Sequence, residues 1–171
     1  GTRFVPDASI TLNMTEGTQN FNYVYGMTQT WGEATSTWNT YNGSTTWPGD
    51  AGVYPGSRGT TLLGYLRPTD NAVTGLTNYP LNAAGRRLIE QWISGAAANE
   101  GFLFWNENDR CASSGCTTDD WLIFDSSEAT TTTNRPKLTF THCDVPDWGN
   151  EVWVDFDGDG IQDGGEPPAE D

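Results

Sequence analysis

The chain has 171 residues, 12% of them aromatic with 8 Trp, and its 23 acids against 8 bases give a formal charge of −15. That length can bury a core without disulfides, and so many aromatic rings exclude a disordered chain. The acid excess argues against nucleic acid as a partner, and no apolar run approaches the ~20 residues of a spanning helix, so no membrane insertion is expected.

The charge is unevenly placed. Asp144–Asp171 carries ten acids and no base, whereas residues 1–143 carry thirteen acids and all eight bases, a net of −5. A segment that acidic either stays solvated or surrounds a cation.

In chain order, Ser9–Met14 (SITLNM) alternates Ile10 and Leu12 with small polar residues and predicts a strand. Asn20–Met27 predicts a second, with Phe21, Tyr23 and Tyr25 on one face and Asn22 and Val24 on the other. Residues 39–59 read as successive turns at Asn42-Gly43, Pro48-Gly49 and Pro55-Gly56. Thr60–Leu66, Glu100–Trp105, Trp121–Asp125 and Lys137–Thr141 are further strand segments. One helix interrupts them: Asn82 caps it, Leu88, Ile89, Trp92 and Ile93 form its apolar stripe, and Gly95 ends it. Several strands with a single short helix predict an all-β fold, a β-sandwich with a packed helix. Residues 1–143 form this module, 144–150 (DVPDWGN) a linker, and 151–171 a further strand (EVWV) leading into an acidic loop.

That loop, Asp155–Glu166 (DFDGDGIQDGGE), places oxygen ligands at positions 1, 3, 5, 9 and 12 on Asp155, Asp157, Asp159, Asp163 and Glu166. The backbone carbonyl of Ile161 supplies position 7, and Gly160 at position 6 permits the tight turn around the ion. Carboxylates this dense repel one another unless a divalent cation sits among them, so Ca²⁺ is the expected ligand. A β-prone EVWV before the loop and Pro167-Pro168 after it argue against helix–loop–helix and for a rigid structural clamp.

Cys111 and Cys116, in CASSGC, can close a small disulfide-bonded loop, leaving Cys143 over. Sequons at Asn13 (Asn13-Met14-Thr15) and Asn42 (Asn42-Gly43-Ser44), with no signal peptide, fit a mature exported glycoprotein, hence an extracellular or cell-surface location. Trp31 and Trp38 read as core residues flanking a turn. Trp47, beside Pro48-Gly49, reads as the exposed ring on which a sugar could stack. The sole histidine, His142, adjoins Cys143 with its side chain on the opposite face of a strand, and no catalytic constellation accompanies it, so no enzyme is expected.

The segment GNEVWVDFDGDGIQDGGEP (Gly149–Pro167) resembles the opening of the calcium-binding B-type modules of serine-aspartate-repeat adhesins and related Cna-B-like repeats. Those modules are stalk elements, which implies a structural role at a cell surface. Over residues 8 to 142, Thr28–Tyr41, Leu88–Trp105 and Ser126–His142 resemble, in the same order, the DNRLRE family, which overlaps alginate-binding carbohydrate modules. This second resemblance implies a jelly-roll-type β-sandwich that binds polysaccharide. Members of that family begin with several strands before the one similar to SITLNM, whereas only Gly1–Ala8 precede it here. A sheet short of a strand exposes N–H and C=O groups to another chain, so homopolymer contacts near the termini are expected.

Taken together, the sequence predicts a non-enzymatic extracellular structural or adhesive module, rigidified by calcium and able to self-assemble into a filament. A polysaccharide-binding module using loop aromatics is the alternative.

Overall fold

A computed structural model describes residues 3–17, 22–48, 56–66, 74–106 and 122–144. Among the described residues it is mainly β, with one α-helix and two antiparallel sheets.

The first sheet is organised around β1 (Arg3–Gly17), a 15-residue strand that absorbs the predicted SITLNM and the residues before it. On one side it pairs with β4 (Gly75–Pro80) from Ser9 to Met14. On the other it pairs with β7 (Lys137–Asp144) from Arg3 to Thr11 and with β6 (Leu122–Phe124) from Met14 to Gly17. So long a strand needs two partners in succession along the same edge. The pairing with β7 shifts register between Phe4 and Asp7, which leaves both Val5 and Ala8 buried. The second sheet has β2 (Asn22–Gly26) at its centre, between β3 (Gly64–Leu66) and β5 (Phe102–Asn106).

The core collects apolar side chains of both sheets: Val5, Ala8, Ile10, Leu12 and Met14 from β1, Val24 from β2 and Leu66 from β3. Period-2 alternation puts Ala8, Ile10, Leu12 and Met14 on one face of β1, and the register shift brings Val5 to the same face. Phe104 of the second sheet meets Phe124 of the first edge to face, with centroids 5.8 Å apart.

Helix α1 (Ala83–Ser94) closes one end of this core. Asn82 accepts from the Gly85 N–H at 3.0 Å, and Gly95 ends the helix at φ 76°, with its N–H donating to the Trp92 carbonyl. Ile89 is buried, and Leu88, Trp92 and Ile93 pack partly buried beside it. Gly85 permits this approach: a Cβ there would stand 2.8 Å from the Leu63 carbonyl oxygen and 2.8 Å from Leu81 Cβ. The helix also substitutes for a strand. After Leu81, whose N–H donates to the Ala8 carbonyl at 2.9 Å, the chain no longer accompanies β1, and the Val5 N–H donates instead to Glu90 Oε1 at 2.9 Å.

Candidate functional site

The outward face of the second sheet is aromatic because its inward face is filled by the alternate residues. Asn22, Val24 and Leu66 are buried and Phe102 and Phe104 pack on the core. Pleating therefore sends Tyr23, Tyr65 and Trp105 the other way, and the register makes Tyr23 the direct partner of both Tyr65 and Trp105. Tyr65–Tyr23–Trp105 is thus one cross-strand row over three strands, about 10 Å from end to end at the usual strand spacing. Tyr23 and Tyr65 lie 5.6 Å apart between ring centroids at 59°. Beside the row, the guanidinium of Arg58 lies 3.9 Å over the Tyr25 ring and 5.7 Å from that of Trp105.

The excursion between β2 and β3 extends this surface. Trp38 stacks on Trp105 with centroids 6.3 Å apart and planes 16° off parallel. The excursion carries its own backbone bonds, including Gly32 N–H to Tyr41 O and Tyr41 N–H to Thr45 O. Thr37 accepts from the N–H groups of Asn39 and Thr40 through its hydroxyl. A largely apolar cleft of about 300 Å³ opens there, lined by Trp31, Trp38, Trp47, Met27, Phe102 and Leu103 among others. Trp38 is 58% exposed, Tyr65 47% and Trp31 38%. The Trp31 indole N–H is held by the Glu100 carbonyl at 2.8 Å, which fixes the ring.

Trp47 is not the exposed platform that the sequence predicts. It is only 4% exposed, its indole N–H donates to the Thr37 carbonyl at 2.9 Å, and Tyr41 packs 5.9 Å from it. Trp31 and Trp38, expected in the core, are the exposed rings instead. The correction has a plain cause: Trp47 anchors the excursion from beneath, and the excursion then carries Trp38 out over the sheet. The row is not legible in the sequence because it depends on the register that sets Tyr65 and Trp105 opposite Tyr23, although the alternation through Tyr23 points to this face.

The other sequence-derived sites are placed unequally. Asn13 lies within β1, half-buried, and its amide nitrogen donates to Asp125 Oδ2 at 2.8 Å, which occupies the atom a glycan would use. Asn42 is exposed in a turn where its Oδ1 accepts from the Thr45 N–H at 2.8 Å and its amide nitrogen donates to the Thr45 hydroxyl at 3.2 Å. Asp155, Asp157, Asp159, Ile161, Asp163 and Glu166, together with Cys111 and Cys116, lie outside the described residues, as does the strand expected at 151–154. Asp144, read as the first linker residue, is the last residue of β7. Cys143 is exposed and free. Among the described residues no group of three His, Cys, Asp or Glu could hold a metal ion. A second cleft, of about 280 Å³, lies between α1 and the Gly26–Thr28 segment, with Arg87 and Gln91 at the helix side.

No family model matches the chain, and no curated protein or solved structure matches it.

Proposed function

We propose that this chain is a non-enzymatic extracellular adhesive module that binds polysaccharide on the outer face of its second sheet. The observation that carries the reading is the aromatic row Tyr65–Tyr23–Trp105, prolonged by the exposed Trp38. Pyranose rings present slightly positive C–H bonds to the electron-rich faces of aromatic side chains, and flat rings on a stiff sheet lose little conformational freedom on binding. An extended glycan suits a long aromatic row with Tyr65 and Trp38 exposed better than a small metabolite, which needs an enclosing pocket. The resemblance of three segments to polysaccharide-binding modules of jelly-roll type points the same way. The jelly-roll connectivity belongs to this proposal.

The calcium clamp at Asp155–Glu166 completes the reading. Ca²⁺ held by Asp155, Asp157, Asp159, Asp163, Glu166 and the Ile161 carbonyl stiffens the joint beyond the sandwich, as in the adhesin stalks that the segment resembles. A cell-surface location, a Cys111–Cys116 disulfide and glycosylation at Asn42 accord with it. Affinity electrophoresis through gels containing neutral or acidic polysaccharides tests the proposal. Retardation of the wild type by at least one polymer, relieved in Tyr65→Ala, supports it, and equal mobility in all of them refutes it.

A further inference from the structure

The described strands leave the outer edge of β7 without a strand partner: it pairs with β1 on one side and with nothing among the described residues on the other. Every second residue of Lys137–Asp144 therefore turns an N–H and a C=O away from the sheet. Exposed edges are ordinarily blunted by charge, proline or shortness. Here the six residues Leu138–Cys143 hold no Asp, Glu, Lys, Arg or Pro, and the strand is eight residues long. The opposite edge of the same sheet, β4, is shorter and is interrupted by Gly75 and Pro80 at its ends. Of the two edges, β7 is the one that can accept a long ladder.

We propose that β7 pairs antiparallel with β7 of a second copy of this chain, a contact that goes beyond polysaccharide binding and does not use the aromatic row. Charge decides both the occupant and its direction. The segment begins basic, with Arg135 and Lys137, and ends acidic, at Asp144, whose exposed carboxylate lies 3.5 Å from Arg3 of the same chain, and nine further acids follow with no base. An antiparallel pair sets each basic beginning beside the acidic end of the other copy, whereas a parallel pair would set like charges together. Of the two symmetric registers with equal overlap, centred on Phe140 and on Thr141, the pairing takes the second. It places Thr139 opposite Cys143 of the second copy, both on the face that carries Thr11 and away from the core. The contact is isologous, with the same strand contributed twice, so it closes into a dimer of continuous sheets and does not propagate as a fibre.

Sedimentation of the full chain over a hundredfold concentration range tests this, with Thr139→Lys/Thr141→Lys as the variant. Both side chains are exposed, so circular dichroism and melting temperature should stay near wild type while like charges meet across the two-fold axis. The expected result is a concentration-dependent dimer in the wild type, weakened at least tenfold in the variant. Trapping supplies the register: Thr139→Cys in a Cys111→Ser/Cys116→Ser background should give a disulfide-linked dimer through Cys143 under mild oxidation, and Asn78→Cys on β4 should not. A monomer at every concentration, or trapping through Asn78→Cys in place of Thr139→Cys, overturns the proposal.

Discussion

Trp38 lies nearly parallel to Trp105, their planes 16° apart and their centroids separated by 6.3 Å. One ring comes from an excursion and the other from a strand, so this stack ties the most exposed part of the candidate surface to its most rigid part. Because Trp38 is largely exposed, its removal forfeits little core burial. Trp38→Ala should lose about 1 kcal/mol of stability, the worth of an aromatic pair. Polysaccharide affinity should drop about tenfold, or about 1.4 kcal/mol. Parallel thermal melts and binding isotherms check whether the two losses separate in this way.

Tyr79 supplies a pH-dependent prediction. Its hydroxyl is buried without a hydrogen-bond partner, and burial raises its pKa above the ordinary 10.0. Thr77 opposes that rise to a lesser degree, from outside hydrogen-bond geometry. The folded state thus keeps the phenol proton to higher pH than the unfolded chain does. The associated stability is present in full below pH 10.0 and is lost as pH rises through the raised folded value. Tyr79→Phe removes a buried, unpaired polar atom, so it should be neutral or stabilising by about 1 kcal/mol at neutral pH. Denaturation at a series of pH values should show a shallower alkaline decline for the variant.

The helix seat separates two glycines that a propensity scale would treat alike. Alanine in place of a helical glycine ordinarily gains about 1 kcal/mol. At Gly85 the added methyl would meet the Leu63 carbonyl oxygen and Leu81 Cβ at 2.8 Å each, so Gly85→Ala should cost roughly 1–3 kcal/mol. Gly95→Ala, at φ 76° with open space around it, should cost about 1 kcal/mol through the backbone alone. Urea titration of both variants against the wild type gives the order.

Leu12 tests the core directly. It is fully buried at the centre of β1, where Thr77 is its cross-strand partner, and Leu12→Ala should destabilise the fold by about 3–5 kcal/mol. Calorimetry would show the lowered melting temperature. A loss under 1 kcal/mol would mean that β1 does not form the core's spine.

Local chemistry explains which parts of this architecture could be read without coordinates. The helix was legible at both ends because Asn82 and Gly95 act through bonds to residues within one turn. Six of the seven strands coincide at least in part with segments chosen by alternation, since burial on one face imposes period 2. The strand β4 (GLTNYP) is not among the predicted strands: glycine, asparagine and proline are poor strand formers, and only pairing with β1 makes the segment one. Trp47 was misplaced for a similar reason. A Trp-Pro-Gly sequence says that the chain turns, but whether the ring faces solvent depends on Thr37 and Tyr41, supplied by the fold of the excursion. The acidic loop proposed to hold calcium is legible in sequence because its carboxylates all fall within Asp155–Glu166. It falls outside the residues that the structure describes.

For the proposed clamp at Asp155–Glu166, calcium occupancy at 100 times Kd would add about 2.7 kcal/mol of stability. Excess chelator should lower the melting temperature of the intact chain, and Asp159→Ala should reproduce that shift and abolish further response to the chelator. Equal melting curves with and without chelator would remove the clamp from the account.

The proposed polysaccharide face is tested most directly by following the indole N–H signals of the 8 Trp residues by NMR while oligosaccharides of a polymer that retards the wild type are added. The account predicts saturable shifts for Trp38 and Trp105, with Trp47 and Trp92, which lie beneath the excursion and against the core, left in place. Unmoved signals for Trp38 and Trp105 at saturation, or shifts confined to Trp92, would contradict it.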